Sequence, residues 1–220
     1  MNHKNYQREL ENFIKKNCSE SRVPRLLLHS CCAPCSSYVL EYLSRYFAIT
    51  VFYYNPNISP AEEYEKRVEE QRRLVEAIPA KHPIRLEVGV YEPERFYAMA
   101  KGLEMVPEGG ERCFGCYRLR LEEAAKMAVQ GGYDCFTTTL TISPLKNAQK
   151  LNEIGEELGT LYQVEHLPSD FKKKNGYKRS VELSAQYGLY RQNYCGCVYS
   201  RLEQQMRERE SLKGTEGKTE

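Results

Sequence analysis

The chain has 220 residues, a net charge of +2 and nine cysteines, with 41% hydrophobic and 28% charged residues. That composition excludes disorder for the bulk of the chain, and a globule of this length buries roughly 70% of the surface its unfolded chain exposes, so its core needs no disulfides. No signal-peptide stretch opens the chain and nowhere do about 18 apolar residues run together, so a cytoplasmic protein with no membrane association is expected, in which clustered cysteines hold a metal or run redox chemistry.

In chain order, Arg25 to Ser30 is a short apolar run that stops at a cysteine cluster, followed by Tyr38 to Leu43 with helical spacing. Ala48 to Tyr53 is β-branched and aromatic and predicts a second strand. Ser59-Pro60-Ala61-Glu62 predicts a capping box that opens a charged helix to Ala77, read from its mixed signs as a solvated face. Ile84 to Val88 alternates and predicts a third strand, after which helices are expected over 93–101 and 112–129. Phe136 to Leu140 predicts a fourth strand, Ser143-Pro144 the start of a helix to Leu158, and Leu161 to Leu167 a last strand. Residues 170–179 read as a basic loop, with Ser180 capping a helix to Tyr190 and one more helix following Cys197. Alternating strands and helices predict an α/β fold: a parallel sheet flanked by helices in three layers, of the nucleotide-hydrolase-like Rossmann type, with helical C-terminal additions. The expected division is an N-terminal helical extension over 1–24, a single catalytic domain over 25–210 and a disordered tail over 211–220.

Seven of the nine cysteines fall in three groups: Cys31-Cys32-Ala33-Pro34-Cys35, Cys113-Phe114-Gly115-Cys116 and Cys195-Gly196-Cys197. Cys18 and Cys135 stand apart and read as ordinary residues. Roughly 77 residues separate one group from the next, so only the tertiary fold can bring them together. The first group follows a predicted strand and precedes a helix, where open α/β folds place their sites and where a helix N-terminus favours thiolate. Residues 29–37 contain no glycine, which counts against a phosphate-cradling loop and so against ATP. Three chemistries remain. A structural zinc needs only four thiolates, and a thioredoxin-like exchange pair at Cys32 and Cys35 leaves two groups unused. An iron–sulfur centre uses four and leaves three for a second metal or redox pair, and counting favours it. His29 can be a ligand, a proton donor or a packed strand-end residue, the last being favoured.

Several motifs in one order then become informative: His29 to Cys35, Glu111 to Tyr117, Thr138-Thr139-Leu140 with Ser143-Pro144 and Lys146, Phe171-Lys172-Lys173 with Gly176-Tyr177, and Leu189 to Cys197. Together, over residues 25–201, they resemble the QueH type of epoxyqueuosine reductase. The resemblance implies an enzyme that removes the epoxide oxygen of epoxyqueuosine at the wobble position of tRNA, leaving queuosine and water, with an external low-potential electron donor. It implies a 4Fe-4S cluster, assigned here to Cys31, Cys32, Cys113 and Cys116, and a second iron or redox pair at Cys35, Cys195 and Cys197. Some relatives have aspartate where this chain has Cys35, a departure that makes the second site all-thiolate and admits zinc more readily. Cys35, Cys195 and Cys197 are the expected catalytic groups, with Asp170 either a proton donor or a turn residue. Lys172, Lys173, Lys174, Lys178 and Arg179 are expected on tRNA phosphates. Phe171, Tyr177, Tyr190, Arg191 and Tyr194 are expected beside unpaired bases. The competing readings are a zinc-stabilised tRNA-binding protein and a tRNA sulfur-transfer enzyme.

Overall fold

The run Leu26-Leu27-Leu28 is fully buried, which a strand achieves only when both faces of its sheet are covered. The computed structural model describes residues 4–19 and 21–216, of which 211–216 by their backbone. Five strands, β1 (Arg25–His29), β2 (Ala48–Tyr53), β3 (Ile84–Val88), β4 (Cys135–Thr138) and β5 (Glu165–His166), form one parallel sheet in the order β3-β2-β1-β4-β5. The helices are α1 (Tyr6–Asn17), α2 (Ala33–Leu43), α3 (Ala61–Ala77), α4 (Pro93–Ala100), α5 (Glu111–Gln130), α6 (Ala148–Tyr162), α7 (Gly176–Gln186) and α8 (Val198–Glu216). Because strand side chains alternate between faces, Leu26 and Leu28 join Leu10 of α1, Leu40 of α2 and Leu74 of α3, while Leu27 meets Leu121 of α5 and Ile154 of α6. The three-layer α/β architecture read from the sequence is thus observed. Among the described residues, no helix is long and apolar enough to cross a membrane.

The strand order reverses between β1 and β4, so the loops after these two strands open a crevice at the sheet's carboxyl edge. The first cysteine group occupies the loop after β1. Its backbone is tied across the crevice by the Cys31 amide, which donates to Thr139 Oγ1 at 3.3 Å.

Local details depart from the sequence reading for identifiable reasons. The capping box does not form: Pro60 takes the N-cap position of α3 with no side-chain cap, and the Ser59 amide donates instead to the Gly196 carbonyl at 3.0 Å. Thr139 and Leu140 leave the sheet in a 3-10 turn over Thr139–Ile142, started by the Thr138 hydroxyl accepting from the Leu140 amide at 3.1 Å. Ser143-Pro144 belongs to a turn, and α6 starts after Asn147, whose side chain accepts from the Lys150 amide at 2.9 Å. Residues 161–162 prolong α6 rather than the last strand, because Leu158 is the buried position and Leu161 lies on the solvent face. The last four residues of the expected basic loop are helical: α7 begins at Gly176, and Ser180 sits inside it, its hydroxyl donating to the Tyr177 carbonyl at 2.7 Å. Only glycine fits at that start, since a Cβ on Gly176 would overlap the Phe171 carbonyl and the Tyr38 ring. Helix α8 continues to Glu216 within the expected tail; residues 217–220 lie outside the described residues.

Candidate metal centre

The Sγ atoms of Cys31, Cys32 and Cys35 lie within 4.8 Å of one another, a spacing that one metal can gather. Cys32 is the N-cap of α2, so the helix N-terminus favours a negative sulfur there. Cys31 Sγ stands 3.8 Å from Cys32 Sγ. Hydrogen bonds from the thiols of Cys31 and Cys35 hold Cys32 well below the ordinary thiol range, the bond to Cys32 pushes Cys31 up to about 11, and bonds to Cys31 and Cys32 push Cys35 well above that range.

The loop bearing the trio is braced from beneath. His29 is fully buried; its Nε2 donates to the Tyr54 carbonyl at 3.1 Å, which leaves Nδ1 to accept from the Thr138 hydroxyl at 2.9 Å. Burial lowers its pKa to about 3, so it is neutral, and it acts as the packed strand-end residue. The Ser30 hydroxyl donates to Gln71 Oε1 at 2.7 Å, and Asn55 Nδ2 donates to the Ser30 carbonyl at 2.8 Å.

The second group occupies the first turns of α5. Neighbouring Arg112, buried, donates to the carbonyls of Leu103, Glu104 and Val106 and pairs with Glu203 of α8 at 3.1 Å, which ties the preceding loop and α8 to this turn. Burial pushes the Cys116 thiol up to about 12 and also raises Cys113. The third group precedes α8. Arg67 of α3 donates to the Cys195 carbonyl at 3.1 Å while pairing with Glu63 at 2.7 Å. The helix read as a solvated face thus sends one buried guanidinium inward. Gly196 has a φ of 123°, which strains any side chain, and a Cβ there would lie 3.0 Å from Arg67 and Ile58. Burial raises the Cys197 thiol as well.

Two adjoining cavities gather all seven clustered cysteines. An open one of about 370 Å³ is lined by Cys31, Cys32, Cys35 and Cys195; a narrow, more enclosed one is lined by Cys113, Cys116, Cys195 and Cys197. Cys195, Lys146 and Glu108 border both. Lys146 is buried and its Nζ lies 2.8 Å from Glu108. Burial opposes its charge, yet Cys195, Tyr117 and Glu108 keep it firmly protonated. The two cysteines read as ordinary are elsewhere: Cys135 is fully buried within β4, and Cys18 lies just past α1.

Tyr177, Arg191 and Tyr194 line the open cavity together with Leu145 and Arg207. Arg191 is steadied by a bond to Ser184 Oγ at 3.0 Å. Tyr190 is held by its amide to Glu70 at 2.9 Å, with the Lys66 ammonium 3.4 Å from its ring centroid. Much of the basic segment is paired within the protein: Lys172 with Asp170 at 2.6 Å, Lys174 with Glu11, and Arg179 with Glu41 at 2.6 Å. Asp170 is not among the residues that line either cavity. Lys173 and Lys178 are exposed and form no ion pair among the described residues. Phe171 is buried in the main core, which corrects its expected place against bases.

Sequence reasoning gave no role to Arg67, Arg112, Arg120, Glu108 or Lys146. Only Arg112 and Lys146 left a trace, as parts of motifs; the others read as ordinary helix or loop charges, and nothing local marks a charged residue as buried.

The resemblance read from the motifs is borne out by comparison with known proteins. A family model described as epoxyqueuosine reductase QueH matches residues 26–203. The chain is 45% identical over 204 residues to the epoxyqueuosine reductase QueH of Staphylococcus epidermidis, covering 91% of this chain and 86% of that protein. It is 44% identical over 198 residues to that of Streptococcus pyogenes, covering 89% and 78%. With that of Thermotoga maritima it shares 37% identity over 184 residues, covering 81% and 91%. On this agreement of motifs, family model and relatives matched over most of their length, the chain belongs to the epoxyqueuosine reductase QueH family.

Proposed function

We propose that this protein reduces the epoxide of epoxyqueuosine in the tRNA anticodon to give queuosine, with a thiolate-held iron–sulfur centre at the sheet's carboxyl edge. The observation that carries the reading is the convergence of seven thiols from three distant segments on two adjoining cavities, one of them open to solvent. The donor set fits iron–sulfur chemistry: all soft thiols, buried or half-buried, with backbone and cationic groups around the sulfurs. In this reading Cys31, Cys32, Cys113 and Cys116 hold a 4Fe-4S cluster, and Cys35, Cys195 and Cys197 hold a second iron or act as a redox pair. Because Cys35 lies within 4.8 Å of Cys31 and Cys32, the second site abuts the first. When bound, such a centre supplies electrons singly and, at an open iron, Lewis acidity.

The chain's own residues supply the rest. Removing the epoxide oxygen as water consumes two electrons and two protons, the electrons coming from an external low-potential donor. The open cavity has the size of a small-molecule site and takes the modified base, with the Tyr177 and Tyr194 rings at its wall available for stacking. Lys146, a fixed cation beside Cys195, stabilises negative charge on the departing oxygen, and Glu108 orients its ammonium. Arg191, with exposed Lys173 and Lys178, contacts tRNA phosphates. Asp170 holds Lys172 at the edge of this surface.

Anaerobic reconstitution with iron and sulfide, followed by metal and sulfide analysis, tests the centre. Four or five irons with four sulfides per chain are expected for about one cluster with or without its neighbour. One zinc and no sulfide would favour the zinc-stabilised RNA-binding alternative. A Cys197→Ser variant with full turnover would remove both roles given to the last cysteine pair.

A further inference from the structure

Arg120 lies one turn beyond Cys116 on α5 and is 1% exposed. Its Nε donates to the Cys116 carbonyl at 3.2 Å and its Nη1 to Asn55 Oδ1 at 3.4 Å, while Nη2 is buried without a hydrogen-bond partner. Among the described residues no carboxylate pairs with it. The other cations buried around the cysteines each have one: Arg67 has Glu63, Arg112 has Glu203 and Lys146 has Glu108. Burying a guanidinium without an opposite charge is costly, so the position makes sense only if negative charge arrives from another source. Four of the thiols adjoin it. Arg120 lines the narrow cavity with Cys113, Cys116, Cys195 and Cys197, and through Asn55 it is linked to the Ser30 carbonyl, adjacent to Cys31. It thus borders the second and third cysteine groups directly and reaches the first through Asn55.

We propose that Arg120 is the counter-ion of the metal–thiolate centre, a positioning residue that balances the centre's negative charge and keeps a spare Nη2 donor available to a ligand sulfur. This rests on the functional reading above and adds a property to it. A fixed positive charge and a hydrogen bond to a ligand sulfur both favour the more negative, reduced state, so Arg120 raises the reduction potential of the centre. In the metal-free protein, where the negative charge of a metal–thiolate centre is missing, the same buried guanidinium is a burden on stability.

The test compares wild type with Arg120→Met and Arg120→Gln, each metal-free and each anaerobically reconstituted with iron and sulfide. Redox titration gives the midpoint potential, and thermal unfolding gives the stability gained on loading. Both variants are expected to show a lower potential and a smaller gain on loading, while their metal-free forms melt at or above the wild-type temperature. Arg120→Lys, which keeps the charge, is expected to retain most of the potential. An unchanged potential in Arg120→Met, or an equal fall in the melting temperature of both forms, overturns the proposal. So does failure of both neutral variants to fold metal-free, since a counter-ion is dispensable where its anion is absent. If wild type itself takes up no iron, the iron–sulfur reading falls first, and this result is separate from any difference among the variants.

Discussion

Replacing Arg67 by methionine cuts two ties at once: the ion pair to Glu63 at 2.7 Å and the donor to the Cys195 carbonyl at 3.1 Å. The side chains of Arg67 and Glu63 are only 2% and 12% exposed, so Glu63 would be left nearly buried and unpaired. Breaking a buried pair in this way costs about 3–5 kcal/mol. At about 2–4 °C per kcal/mol for a chain of this size, the melting temperature of the metal-free protein should fall by about 6–20 °C. Adding Glu63→Leu removes the lone carboxylate, and an apolar pair in place of a buried ion pair is often neutral, so the double variant should recover most of that loss. It should not recover turnover. The turn at Cys195-Gly196-Cys197 still lacks its guanidinium anchor, and loss of a group that orients a metal ligand typically costs about 10- to 100-fold. Thermal unfolding of the metal-free proteins and single-turnover reduction of modified tRNA measure the two effects separately. A double variant that regains both stability and turnover would refute the role of Arg67 in placing the cysteine turn and leave it a packing residue.

Three further outcomes follow from the same structure. His29 has a folded pKa of about 3 against an ordinary 6.5, so the unfolded chain takes up its proton first as pH falls. The stability this gives is complete above pH 6.5 and drains away toward pH 3; at pH 5 about 2 kcal/mol is lost, a component that urea titrations of His29→Gln should lack. Cys135→Ala should cost about 1 kcal/mol of stability yet leave iron and sulfide content unchanged, as should Cys18→Ser, whereas Cys116→Ala should lose the cluster. On the nucleic-acid side, Lys173→Ala and Lys178→Ala should each flatten the salt dependence of tRNA affinity by about 0.7–0.9 in log–log slope, more than Lys172→Ala or Lys174→Ala, whose ammonium groups are held by Asp170 and Glu11. The reverse ranking in salt-stepped binding would move the footprint back to the paired lysines.

The sheet was legible because the run from Leu26 to Leu28 and the alternation of strands with amphipathic helices report burial directly. Cysteine grouping identified the thiols and the loop after β1 placed one group at the crevice. What brings the groups together was not legible, because Arg67, Arg112 and Arg120 occupy helices whose other charges face solvent, and burial of a cation is decided by distant partners such as Glu203 and the Cys195 carbonyl. Boundaries failed where side chains outside the local pattern took over. Asn147 outcompeted Ser143 as a cap, and the close approach of Phe171 and Tyr38 to Gly176 started α7 earlier than Ser180 suggests. The basic segment misled in a similar way: its charges are plain in sequence, but Glu11 and Glu41, which neutralise two of them, lie more than a hundred residues away.

The central claim is that thiols gathered at the sheet's carboxyl edge form a reductive centre acting on epoxyqueuosine in tRNA. Anaerobic incubation of epoxyqueuosine-containing tRNA with the iron-loaded protein and a strong low-potential reductant, followed by nucleoside analysis, addresses it most directly. Queuosine should appear with the iron-loaded protein and not with the metal-free or zinc-loaded form. Unchanged epoxyqueuosine in the presence of fully loaded protein, or equal conversion by the zinc-loaded form, would contradict the account.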